Sequence, residues 1–175
     1  MENTYFVNCN GLPAPGHVST ARDIALMSRQ LIRHKEIFNY TTIWMDSVRD
    51  GAFGLTNTNR LIRTYDGMTG LKTGYTKTAG YCLSATAERQ GLSQVAVALG
   101  EPDISTRSAD VTALLNYGFA NYQKVTVTPD QPIMPLPVRL GKQDYALCEL
   151  EGAPSLVISK NKASSLGKEL IMEEY

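Results

Sequence analysis

Gly70-Leu71-Lys72-Thr73-Gly74-Tyr75-Thr76-Lys77-Thr78-Ala79-Gly80 is the stretch around which the rest of the chain is organised. An apolar run, Tyr81 to Ala87, follows it. Glu88-Arg89-Gln90-Gly91 then reads as a hairpin turn, and Leu92 to Gly100 as the returning strand. The pattern places Lys72-Thr73-Gly74 at the end of one strand, before a connection into an antiparallel pair. Gly74 lacks a Cβ, so a ligand can approach its backbone closely. Lys72 offers three donors and a positive charge, and Thr73 a hydroxyl. The combination suits an anionic or carbonyl-bearing ligand laid along a strand edge. Alone, Lys-Thr-Gly is three common residues, equally at home as a solvated lysine ahead of a turn.

Composition bounds the possibilities. With 175 residues, 43% hydrophobic and 19% charged, the chain can form one fair-sized core and a smaller appended unit. Lys+Arg 17 balances Asp+Glu 17, so no overall field recruits nucleic acid or an anionic surface. No apolar run has the length of a membrane span, and the first residues lack signal-peptide character. Cys9, Cys82 and Cys148 are odd in number and widely scattered. They suit buried small hydrophobes better than a disulfide framework or a metal site.

Upstream, Thr4 to Leu12 reads as a short extended stretch. Thr20 and Asp23 approximate a capping box, with Asp23 as the cap partner, opening a helix whose Ile24, Met27, Leu31 and Ile32 recur at helical spacing. His17, two residues before that helix starts, reads as structural or exposed. His34–Tyr40 predicts a second short helix, Thr41–Val48 a strand, Arg49-Asp50-Gly51 its turn and Phe53–Leu55 the return. Asn57 and Asn59 suit local turn hydrogen bonding. After Gly100, Glu101-Pro102-Asp103 signals the start of a helix over 104–122. Val111, Leu114, Leu115 and Phe119 form its apolar face, and Gly118 is a weak spot near its end. Arg107 falls in its first turn, where the helix dipole slightly disfavours a cation but a surface arginine is tolerated. Beyond Gln123, prolines and short runs at 125–128, 138–140, 144–150 and 155–159 predict small strands and loops.

Lys-Thr-Gly is also the third motif of serine penicillin-binding proteins and class A β-lactamases. The longer string from Thr69 to Leu83 closely resembles the low-molecular-mass D-alanyl-D-alanine carboxypeptidases, most of all their sporulation type. Phe6-Val7-Asn8, Gly11-Leu12, His17-x-Ser19-x-Ala21-x-Asp23 and the Asn57-x-Asn59-x-Leu61 segment, which in that family supports the motif strand, extend the resemblance. The spacing of Arg107 from Lys72 matches the arginine that binds the substrate's terminal carboxylate there, a task for which its planar fork is suited.

The resemblance implies an α+β fold, part of the β-lactamase/transpeptidase-like architecture. Residues 1–122 would be the C-terminal portion of a catalytic domain, and 123–175 the incomplete start of a small β-rich domain whose last residues, 168–175, are too short for a membrane anchor. It implies acyl transfer at a serine: trimming of the terminal D-alanine from peptidoglycan stem peptides ending in D-Ala-D-Ala, with β-lactams acylating the same serine. Lys72, Thr73, Gly74 and Tyr75 would be catalytic, the Tyr75 N–H as one oxyanion donor, and Arg107 substrate-binding; no metal or cofactor is implied. Tyr75 stands where some relatives carry histidine, so no histidine role carries over. No Ser-x-x-Lys or Ser-x-Asn element precedes Lys72. Ser159–Lys162 and Ser165–Lys168 come after it and read as accidents. The expectation is therefore a fragment without its nucleophile, inactive alone, that associates with an upstream half or another copy and derives from an extracytoplasmic, membrane-associated cell-wall enzyme. The alternatives are a non-catalytic peptide-binding or structural relative and, less well matched, a β-lactamase or esterase of the same fold.

Overall fold

The computed structural model describes residues 1–130 and 132–171. The chain forms two compact units, Met1–Ala120 and Asn121–Tyr175. In the first, helix α1 (Ala21–Leu31) is capped by Thr20, whose hydroxyl accepts from the Asp23 N–H. The reciprocal half of the expected box does not form. The Asp23 carboxylate instead accepts from the Asn3 N–H at 3.0 Å and the Thr4 hydroxyl at 2.7 Å, tying down the N-terminal segment. A 3₁₀ turn (Lys35–Ile37) runs into α2 (Phe38–Thr41). The Thr42 N–H and hydroxyl both return to the Phe38 carbonyl, so the following strand β1 begins at Met45 and not at Thr41. β1 (Met45–Val48) pairs antiparallel with β2 (Phe53–Thr56). Arg49 and Asp50, both at φ 55, make the turn. α3 (Leu61–Thr64) precedes the main sheet.

That sheet is antiparallel in the order β3 (Met68–Thr76), β4 (Gly80–Arg89), β5 (Leu92–Glu101). Gln90 and Gly91 at φ 51 and 73 close the β4–β5 hairpin with positive φ at both positions, the turn whose twist matches the flanking strands. Helix α4 (Ile104–Asn121) covers one face. On that face Leu83, Ala85 and Ala87 of β4 and Ala96 and Ala98 of β5 pack with Met68, Leu61, Tyr65, Val111 and Leu115 into the core. The alternate residues of β4 face the other way, where Ser84 hydrogen-bonds Ser28 of α1 at 2.7 Å.

Three sequence expectations are corrected by this packing. The stripe Ile24–Met27–Leu31–Ile32 is not the buried face of α1: Met27 and Leu31 stand exposed, Ile32 alone of the four is buried, and Asp23 and Ser28 are the residues that α1 itself buries. The helix lies mainly against β5, and its buried link to β4 is a hydroxyl pair, Ser28 with Ser84, which an apolar count cannot register. The cysteines are not buried hydrophobes either; Cys9 is exposed, Cys82 and Cys148 are half-buried, and all three are free. Gly118 is no mere weak spot. A Cβ there would meet the Gln94 Oε1 at 1.8 Å, so the glycine admits the side chain of β5 against α4.

In the second unit β6 (Tyr122–Thr126) pairs with the later strand β9 (Ser155–Ser159), while β7 (Leu136–Pro137) and β8 (Tyr145–Ala146) pair with each other. Pairing falls at 136–137 and not at the expected 138–140, because Leu140 takes φ 62, outside strand conformation. A 3₁₀ turn (Lys160–Ser165) follows. Both Ser-x-x-Lys sequences lie here. Ser159 donates to Asn161, Ser165 to the Lys162 carbonyl, and Lys168 pairs with Asp130 at 2.7 Å. Of the closing segment 168–175, residues 172–175 lie outside the described residues. Among the described residues no helix is long and apolar enough to cross a membrane.

Candidate functional site

The Lys-Thr-Gly motif lies inside β3, not before a connection into the pair. β3 continues to Thr76 and pairs with β4 beyond the motif, with Lys72 opposite Ser84, Thr73 opposite Leu83, Gly74 opposite Cys82 and Tyr75 opposite Tyr81. The apolar run 81–87 is thus the middle strand of three, and β3 is an edge strand.

The strand is held from outside just upstream of the motif. The Thr41 hydroxyl donates to the Thr69 carbonyl at 2.6 Å, and buried Asn59 donates from Nδ2 to the Gly70 carbonyl at 3.3 Å. Gly70 is at φ 147, and a Cβ on it would lie 2.8 Å from the Thr41 side chain. Only glycine suits that approach. Asn57 organises the clip: its Oδ1 accepts from the Asn59 N–H, and its Nδ2 donates to the Ile43 carbonyl at 2.8 Å. Asn59 Oδ1 in turn accepts from the Leu61 N–H. Between the asparagines, Thr58 shares a 2.6 Å hydrogen bond with the Thr73 hydroxyl. The Asn-x-Asn segment was legible in sequence. Thr41 and Thr58 were not, since each acts on β3 across a gap in sequence that no local pattern marks.

The motif itself is open. Lys72 is exposed, its ammonium donating to the Thr73 carbonyl at 2.5 Å. Around Gly74 the nearest atom to an added Cβ would be the Cys82 Cβ at 3.9 Å, which leaves its face free for a ligand. Tyr75, 59% exposed, lays its ring on Tyr81 with centroids 4.3 Å apart and planes 33° apart.

Arg107 is the unusual member. It is 3% exposed, and its Nε and Nη2 are buried with no hydrogen-bond partner among the described residues. Arg107, Val111 and Leu115 are the residues α4 buries, one turn apart on one stripe. Since Val111 and Leu115 pack on the face carrying Leu83 and Ala85, Arg107 lies on that face too. Thr73 and Tyr75, paired with Leu83 and Tyr81, point to the same side. Burial pushes the guanidinium below its ordinary pKa, while Cys82 and Tyr81 nearby favour its charge. The carboxylate at the start of α4 does not neutralise it. Asp103 caps the helix by accepting from the Thr106 N–H at 2.8 Å and its hydroxyl at 3.0 Å, bonds that hold its pKa below the usual range. A buried cation with two orphan donors is costly unless an acceptor arrives. The guanidinium can therefore hold a carboxylate or a polarised carbonyl on the sheet face that also carries Thr73 and Tyr75.

Other candidates are structural. His17 accepts the Val7 N–H on Nδ1 at 3.1 Å and packs against Phe6. Among the described residues no group of three His, Cys, Asp or Glu can hold a metal ion.

Comparison with known proteins gives a consistent set. Residues 1–103 match the family model described as D-alanyl-D-alanine carboxypeptidase. The chain is 34% identical over 179 residues to D-alanyl-D-alanine carboxypeptidase DacF of Bacillus subtilis, covering 99% of this chain and 46% of that protein. It is 30% identical to DacA of Escherichia coli, covering 95% and 41%. Among solved structures it is similar to penicillin-binding protein 5 from Haemophilus influenzae, with a TM-score of 0.72 and 27% identity over 94% of this chain and 48% of that one. It also resembles penicillin-binding protein D2 from Listeria monocytogenes in its cefotaxime-bound form, at TM-score 0.61 and 38% identity over 66% and 48%. The chain spans somewhat under half the length of these relatives.

Proposed function

The chain belongs to the D-alanyl-D-alanine carboxypeptidase family, and from that premise we propose that it forms one wall of a serine acyl-transfer site. The substrate is a peptidoglycan stem peptide ending in D-Ala-D-Ala, laid along the exposed edge of β3. In the complete site a serine oxygen attacks the carbonyl carbon between the two D-alanines. The oxyanion collapses, the amide C–N bond breaks, and the departing amine takes a proton and leaves as D-alanine. Water then hydrolyses the serine ester. Lys72 supplies positive potential and a donor, Thr73 a hydroxyl to the substrate, and the Tyr75 N–H one oxyanion donor; losing such a donor costs roughly a hundredfold or more in rate. Arg107 grips the terminal carboxylate.

The observation that carries the proposal is the Arg107 guanidinium, 3% exposed with Nε and Nη2 unpartnered among the described residues. Two adjacent N–H donors on the sheet face that carries Thr73 and Tyr75 match what a bidentate carboxylate would satisfy. The nucleophile and its lysine base are not assigned to Ser159–Lys162 or Ser165–Lys168, whose side chains serve the second unit. They come from a segment carrying Ser-x-x-Lys, in the setting of an extracytoplasmic cell-wall enzyme. Exposed Phe6, Met27, Met45, Phe53 and Leu55 offer apolar surface for such an association.

Intact-protein mass spectrometry before and after benzylpenicillin tests this. The chain alone is expected to gain no adduct, and under native conditions to run as an associated species. An adduct mapping to a serine of this chain, or a well-behaved monomer, would count against the corresponding half of the proposal.

A further inference from the structure

The Tyr75 ring has no part in the reading above, which uses only that residue's N–H. It is an exposed aromatic side chain, 59% accessible, directly after the motif glycine, and it is stacked on Tyr81 at 4.3 Å. The register places Tyr75 and Tyr81 directly opposite each other, on the face that also carries Thr73 and Arg107. Tyr81 is half-buried and is one of the groups that Arg107 senses electrostatically. The two rings therefore share one face of the sheet with Arg107, Tyr75 on the edge strand and Tyr81 on the strand beside it. A stacked neighbour limits the rotamers of Tyr75, so its exposed face is offered to a ligand at little further entropic cost.

From this we propose that the Tyr75 ring, backed by Tyr81, is a specificity-determining wall beside the carboxylate position. It contacts the apolar side chain of the ligand's C-terminal residue and so favours alanine over glycine there. The inference rests on the carboxylate reading of Arg107. Lys72 offers only a flexible methylene stem and Thr73 a single methyl, so the Tyr75 ring is the largest rigid apolar surface on the motif that can read that side chain.

The test is an NMR titration of the full chain with two acylated peptides, one ending in D-Ala-D-Ala and one in D-Ala-Gly. The wild-type chain is expected to bind the first more tightly. Tyr75→Ala is expected to shrink the ratio of the two affinities roughly three- to tenfold, the range for loss of one aromatic contact. Tyr75→Phe, which keeps the ring, should preserve most of the ratio, with Trp44 fluorescence confirming the fold of each variant. Equal weakening of both peptides in Tyr75→Ala would assign the ring a structural role and overturn the inference. Arg107→Leu separates the two readings. It should weaken both peptides alike; if both still bind at wild-type affinity, the carboxylate reading fails while the Tyr75 ratio remains a measured quantity. Failure of the wild-type chain to bind either peptide would overturn both.

Discussion

Replacing Arg107 with methionine should make the protein more stable while removing its affinity for a peptide carboxylate. In the folded chain the residue is 3% exposed, and Nε and Nη2 have no partner among the described residues. In the unfolded chain both are hydrated. Each buried unsatisfied donor typically costs about 1–3 kcal/mol, more when it belongs to a charged group. Methionine keeps the unbranched apolar stem against Val111 and the sheet but brings no donor. Some packing volume is lost with the guanidinium, offsetting about 1 kcal/mol. The net expectation is a gain of about 1–3 kcal/mol, or about 2–10 °C in Tm for a chain of this size. Trp44 is the single tryptophan and lies in the first unit, so its fluorescence during urea and thermal unfolding reports that unit without interference from the second. Peptide titration on the same samples completes the pair. A variant destabilised by 1 kcal/mol or more would refute the reasoning, because it would mean the guanidinium is satisfied in the folded state and is not held in wait for a ligand.

Two further outcomes follow from the supports of the site. Asn59→Ala should destabilise the first unit by about 1–3 kcal/mol, since it strips the Gly70 carbonyl and the Leu61 N–H of their partner in a buried place. Amide exchange at Lys72–Tyr75 should quicken, and unchanged exchange there would show that the clip does not hold β3. Asp23→Asn should flatten the acid limb of the stability profile. Asp23 is held below its ordinary pKa chiefly by the Thr4 hydroxyl, with the Asn3 N–H adding to it. A depressed folded pKa gives stability that is present above the unfolded value and lost as the pH falls through the folded one. The wild-type chain should therefore lose stability as the pH drops below the ordinary carboxylate range, and Asp23→Asn should lose less over that window. Parallel profiles would place the acid sensitivity elsewhere.

What the sequence alone determined were the features written in neighbouring residues. Gly91 marks the hairpin because it takes the second of two consecutive positive φ values at no steric cost, and Thr20 caps α1 because a hydroxyl there reaches the Asp23 N–H. The strand bearing Lys-Thr-Gly, the helix after Asp103 and the strand at Ser155–Ser159 were legible for the same reason, whereas the expected run at 138–140 was not a strand. Tertiary structure decided what depends on residues far apart in the chain. Arg107 reads equally well as a surface cation until α4 is laid on the sheet with Arg107, Val111 and Leu115 inward. Gly118 reads as a helix defect until Gln94 is seen to fill its place. Thr41 and Thr58 look like ordinary polar residues until they meet Thr69 and Thr73. The stripe of α1 misled because the residues the helix buries are polar, Asp23 and Ser28, and apolar periodicity carries no information about a hydroxyl contact such as Ser28 with Ser84, 56 residues distant. Local backbone preference is fixed by each residue and its neighbours, whereas burial and partnership are fixed by which surfaces meet.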